Sequence, residues 1–467
     1  MTQATDTSSL PVSTGPEAQP IEPKLARGLI RSLTRGTALP RGAALIHVGH
    51  REWLAAQSEI LEEIAEDGYS DTKFVRGAYG AGKSHFLSVV QEMARREGWV
   101  TSHIECHFDQ VEIDRFETLY PALVKKLAAS DFSAVWGDSE ATAIAPVHTL
   151  LKKWTDRQLS AVGLRADSRT RPFDADTRLF DHLAKRLLRG AVPTNFARAL
   201  TTQALASFAG DLDTTNSVCN WLSGAKDTIS LPAQYLRREA RAIGKPDSRT
   251  AKALELRPIN AGTVQEAMHG LLWLIKDAGY AGLVLCIDEV EELARLSSRK
   301  RQDRALQALR EYVDHAGGDD SHRWLCMYLA ATPEMFDNEQ YFPRYDALAS
   351  RIQAVTDAVN WRAPVIDLDR TPLSAVELLA MATKIRDLYK AGYSAAAVNL
   401  VTDKFVSDLV SEVVRTKVRM ARPRLLCRII VDELDRARST GSKYSPPQNF
   451  DSLISNAVSA IEKATAE

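Results

Sequence analysis

Phe74-Val75-Arg76-Gly77-Ala78-Tyr79-Gly80-Ala81-Gly82-Lys83-Ser84 is the stretch that decides the fold. Its last eight residues match GxxxxGK[ST], a loop whose glycines reach φ > 0 and turn backbone N–H groups toward phosphate. In that pattern Lys83 reaches the β/γ-phosphates of a nucleoside triphosphate, ATP above all, and the Ser84 hydroxyl ligates Mg²⁺. His85 follows at the start of the helix and joins the nucleotide-binding set. The context fits: Thr72 to Arg76 reads as a short strand. After the loop, Phe86, Val89, Val90 and Met93 fall on one helical face, Gly98 stops the helix, and Trp99 to Cys106 reads as a second strand. A strand–loop–helix–strand unit opens a parallel sheet, so the expected class is α/β.

A second apolar run, Gly282-Leu283-Val284-Leu285-Cys286-Ile287-Asp288-Glu289, ends in two acids. A buried strand ending so aims carboxylates at the sheet's C-terminal edge, where α/β folds bind ligands. Asp288 would hold Mg²⁺ through water, and Glu289 would orient and deprotonate the attacking water. The bland alternative is two solvated acids opening the next helix; the phosphate loop on the same sheet favours chemistry. Trp324 to Ala330 reads as the next buried strand, and Thr332 just beyond it places a hydroxyl beside the same edge. Arg344 and Arg351 follow, and either could act as an arginine finger on a neighbouring subunit, Arg351 being preferred to Arg344.

A chain of 467 residues exceeds one ordinary core. The pattern divides it into a disordered tail (1–24), a P-loop ATPase core (25–365) with a helical insertion (about 130–258) and a C-terminal all-helical domain (366–467). Capping-box patterns at Thr263–Glu266 and Ser374–Glu377 open two of the helices. With 45% apolar and 25% charged residues and a net charge of −1, no global field draws the protein to nucleic acid or membrane. Five dispersed cysteines, without a CxxC pair, read as reduced thiols, and no apolar run is long enough to span a bilayer. The expectation is a soluble cytoplasmic protein. Two basic clusters could hold DNA backbone: Arg295, Arg299, Lys300, Arg301 and Arg304, and the run Arg415, Lys417, Arg419, Arg422, Arg424 and Arg428. Charge runs are more often solvated faces. His47, His50, His85, His103 and His107 lack metal-ligand spacing.

With these motifs in order, the core resembles the AAA+ division of P-loop ATPases. That resemblance implies that Gly49-His50-Arg51-Glu52 packs near adenine and that the C-terminal helices form a lid. It also gives Arg424, in Arg422-Pro423-Arg424, the place of a second sensor arginine. More closely, the ordered chain resembles the ATP-binding protein of BREX phage-defence systems, the BrxD type. The words that carry this are Leu45–Glu52, Phe74–Ser84, Leu119-Tyr120 to Leu127, Trp221-Leu222-Ser223-Gly224, Ala278–Val284 with the acidic pair, and Ala331–Phe336. Arg76-Gly77 with Tyr79-Gly80 is the most family-like of them. The resemblance implies a bacterial ATPase acting beside other defence-system proteins on DNA; assembly into a homo-oligomer on ATP binding is a separate expectation, which the arginine-finger candidates raise. A nucleotide-dependent signalling or scaffold switch with little turnover, and a DNA-binding ATPase of the helicase-loader kind, are the alternatives.

Overall fold

The computed structural model describes residues 21–35, 41–107, 110–132, 146–165, 172–187, 192–232, 235, 254–315, 322–353, 358–393, 395–416 and 421–466. Two units emerge from its packing. One comprises His47–Ser374 with Val418–Arg424; the other comprises residues up to Ile46, Ala375–Lys417 and Leu425 onward.

The first unit is built on a five-stranded, all-parallel sheet. Its strands are β1 (Ser70–Arg76), β2 (Val100–Glu105), β5 (Leu283–Asp288), β6 (Leu325–Ala331) and β7 (Val365–Asp367), in spatial order β2-β5-β6-β1-β7. β3 (Ile229–Leu231) and β4 (Leu254–Leu256) form a separate antiparallel pair. Every residue of β5 and β6 is buried, as expected for parallel strands covered by helices on both faces. Alternation divides the sheet's side chains between two cores. Leu283, Leu285 and Ile287 join Phe74 and Leu329 on one face. Val284 and Cys286 join Val75, Phe86, Val90 and Tyr328 on the other.

The expected strand–loop–helix–strand unit is present, with the helix at Lys83–Arg96. Between β2 and β5 the chain runs through helices Phe116–Lys125, Pro146–Ala161, Ala175–Leu187, Thr194–Ala209 and Leu212–Leu222. Helix Val264–Asp277 then leads into β5. Thr263 does stand at its N-cap, but the expected capping bond is absent. The Thr263 hydroxyl instead accepts the Asn260 N–H at 3.0 Å, so a turn ahead of the helix has taken the cap's oxygen.

The second unit is helical. Helix Pro23–Arg35 packs along Ala375–Gly392, with Arg27 Nη1 donating to Gly392 O at 3.1 Å. Helices Asp403–Arg415, Arg422–Thr440 and Phe450–Ala466 complete it, the first residues of Arg422–Thr440 lying with the other unit. Glu433, an acid wholly buried in this unit, is satisfied by Arg436 at 2.6 Å and the Tyr444 hydroxyl at 2.7 Å.

Candidate functional site

β1 delivers the chain to Gly77 in the middle of the sheet, beside β6, where Gly77 N–H donates to Ala331 O at 3.4 Å. The loop then turns through Gly80 (φ 82°) and Gly82 (φ 106°), backbone states that a Cβ would oppose. Phe86 N–H to Gly82 O, 2.8 Å, starts the helix, so its unsatisfied N–H groups face the loop. Lys83 is buried and folds back, donating from Nζ to Gly77 O at 3.1 Å.

Strand β5 brings Asp288 to the same edge, where it is 2% exposed and hydrogen-bonded by the Ser84 side chain. Its Oδ1 also accepts the Glu289 N–H at 2.9 Å. His103 on the neighbouring β2 stands 3.7 Å away, and is itself held by Gln91 at 2.9 Å. Burial raises the Asp288 pKa, but His103 and Ser84 more than offset it, so the group stays below its ordinary value and charged.

Glu289 differs. Its backbone is left-handed (φ 57°, ψ 40°), rare for a residue with a Cβ and a mark of local strain. Burial, with the nearby charges of Glu291 and Asp288, pushes its carboxyl up to about 7 against the pull of Lys83. The left-handed turn starts a 3-10 helix, Val290–Arg295, and so brings Glu291 back to the strand ends. There the Glu291 carboxylate accepts the Thr332 backbone N–H, and burial raises its pKa. Its Oε2 is buried without a hydrogen-bond partner among the described protein atoms. The motifs gave no notice of Glu291: its place depends on one left-handed residue. Thr332 itself sits extended at the end of β6 and precedes the short helix Pro333–Asp337.

On the other side of the loop, His47 Nδ1 lies 3.3 Å from His85 Nε2 with the rings stacked, and His47 Nε2 is 3.0 Å from Gly49 O. Gly49 and His85 are thus linked beside the loop. His50, left-handed at φ 52°, sets its ring edge-on to Phe86. Arg424 lies over the loop's outer side, its guanidinium 4.5 Å from the Tyr79 ring centre and its stem against Gly80.

A family model described as BREX system ATP-binding protein BrxC/D matches residues 21–452. The chain belongs to the BREX system ATP-binding protein BrxC/D family. No curated protein and no solved structure matches it. The matched span of this BrxC/D chain takes in the sheet, the helices between β2 and β5, and the C-terminal helices up to the start of Phe450–Ala466. Among the described residues no helix is long and apolar enough to cross a membrane.

The arginines of this BrxC/D chain are mostly engaged. Arg351 pairs with Asp314, Nη2 to Oδ2 at 3.2 Å with Nε also bonded, and donates to Ala347 O. Arg344 pairs with Asp303. Both finger candidates are thus held by carboxylates of their own chain. In the first basic cluster, Arg301 pairs with Asp114 at 2.9 Å and Glu112 at 2.7 Å, Arg304 with Asp114 at 3.2 Å, and Arg295 with Glu292 at 3.1 Å. In the second, Arg415 pairs with Glu412 at 2.8 Å, Arg428 bonds to Thr34 O, and Lys417 and Arg419 lie outside the described residues. Cys106, Cys219, Cys286 and Cys326 are buried free thiols, and Cys427 is free and partly exposed.

Proposed function

We propose that this BrxC/D-family protein is an ATPase that binds ATP with Mg²⁺ on Gly77–Ser84 and works within a bacterial defence complex acting on DNA. The observation that carries the reading is the convergence of Lys83, Ser84, Asp288 and Glu289 at one sheet edge, beside a helix N-terminus. Loop N–H groups and that helix end suit the charge of phosphates. The Ser84 hydroxyl and Asp288 carboxylate, already joined, are hard oxygen donors of the kind Mg²⁺ takes, and would hold it. Bound there, the ion supplies charge neutralisation on the phosphate oxygens.

The chain's own residues do the rest. Lys83 exchanges Gly77 O for phosphate oxygens. Glu289 orients the attacking water and accepts its proton, as an acid poised near neutrality can. Thr332 offers its hydroxyl from the end of β6, Gly49 and His85 flank the base, and Arg424 reaches the nucleotide from the loop's outer side. Arg351, or else Arg344, serves a neighbouring copy.

Steady-state phosphate release tests the assignment. Glu289→Gln should lower turnover at least a hundredfold while ATP binding persists, a loss of a general base plus its positioning. Turnover equal to the unaltered protein would remove Glu289 from the role. A second reading, a nucleotide-dependent switch with little turnover, draws on the pairing of Arg351 and Arg344 within their own chain. Turnover that stays negligible at every protein concentration, with and without duplex DNA, would favour it.

A further inference from the structure

Arg76 is the residue from which the phosphate loop departs, and its contacts reach across three strand ends. Nη1 and Nη2 donate to Asp337 Oδ1 and Oδ2 at 2.9 and 2.7 Å, a two-pronged pair. Nε stands 3.3 Å from Asp367 Oδ2, at the end of β7. The guanidinium lies 5.5 Å from the centre of the Phe336 ring. Asp337 closes the short helix that begins directly after Thr332, and Phe336 packs with Phe342 and Phe74 at 5.0 and 6.2 Å. β1, β6 and β7 lie side by side, so the two hydrogen bonds to Asp337 tie the exit of β1 to the helix after β6, while Nε faces the Asp367 carboxylate at the end of β7 as an ion pair without a hydrogen bond. A second tie runs parallel to it: Asp369 Oδ2 accepts the Ala78 N–H of the loop at 2.9 Å.

From this geometry we propose that Arg76 is a positioning residue of the nucleotide site. It fixes the base of the phosphate loop against the turn that carries Thr332, so that phosphate and the end of β6 keep one spacing. The inference rests on the ATPase reading above. The Arg76 side chain is 25% exposed and Asp337 60%, so the pair is too wet to be mainly a stability device. Its two parallel hydrogen bonds to Asp337 fix geometry instead, which lysine, a point charge, cannot reproduce.

The test is a cycle of Arg76→Ala, Asp337→Ala and the double variant, with Arg76→Lys beside them, each checked for an unchanged melting temperature. Misplacement of this kind acts on the chemical step, so Arg76→Ala should lower kcat about tenfold with KM moved less than about threefold. Asp337→Ala should lower kcat in the same direction. The double variant should be no worse than Arg76→Ala, because the two residues act as one unit. Arg76→Lys should recover less than half of the loss; if Arg76→Ala fails to fold, Arg76→Lys and Asp337→Ala carry the test. An Arg76→Ala protein with full kcat, or single effects that multiply, would overturn the proposal and leave the ATPase reading intact. An unaltered protein that does not turn over ATP would remove the reading and this proposal together.

Discussion

Glu289 combines a left-handed backbone, partial burial and three like-charged neighbours, Glu291, Asp288 and Glu292, and the combination has a sign that can be measured. Its carboxyl moves from 4.5 to about 7 on folding, so between those values the folded state binds more protons than the unfolded chain. Stability therefore falls as pH rises through that window, and the penalty is complete above it. Glutamine carries no such penalty. Without nucleotide or metal, in chelator, Glu289→Gln should melt close to the unaltered protein near pH 5 and progressively higher toward pH 8. The gap at pH 8 should be on the order of 1–3 kcal/mol, the upper end being the full shift and the lower end allowing for solvent access. A gap independent of pH would show that the acid is not held near neutrality.

At the scale of elements, helix Arg299–His315 is tied to the chain ahead of Phe116–Lys125 by two acids, Glu112 through Arg301 and Asp114 through both Arg301 and Arg304. Asp114 is fully buried at its side chain and receives Arg301 from two nitrogens, at 2.9 and 3.1 Å, and Arg304 at 3.2 Å. The arginines remain partly in water, so the cost of removing the acid is the lost charged hydrogen bonds rather than a stranded buried cation. Asp114→Ala should destabilise the protein by about 2 kcal/mol in denaturant unfolding, and a change under about 0.5 kcal/mol would mean that the cluster is not a structural tie. Here the limits of sequence reading have a physical cause. The loop, the acidic pair and the strand before Thr332 were legible because each is a local pattern with its own chemistry. Arg301 read as a possible phosphate contact because its partner, Asp114, is 187 residues away. Glu291 was silent because a single left-handed residue swings it back to Thr332. The pairing of Pro23–Arg35 with Ala375–Gly392 is likewise a long-range contact without a local signature.

At the scale of the whole molecule, the question is whether one chain can complete the site. Arg351 and Arg344 are both occupied by their own chain's aspartates, and neither contact bears on the loop. A finger acting on a neighbour must exchange that aspartate for the neighbour's phosphate, which links assembly to the triphosphate state. Light scattering should therefore give a larger particle with ATP than with ADP or without nucleotide, and Glu289→Gln should hold the larger form by slowing hydrolysis. Arg351→Ala should still bind ATP but lose about a thousandfold or more in turnover, the range an arginine finger contributes. Mixing it with Glu289→Gln should restore part of the activity, since each copy supplies what its neighbour lacks: Arg351 from the Glu289→Gln copy completes the site that keeps Glu289. A single-chain mass in every nucleotide state, with Arg351→Ala fully active, would place the whole reaction within one chain and leave Arg351 as no more than a partner for Asp314.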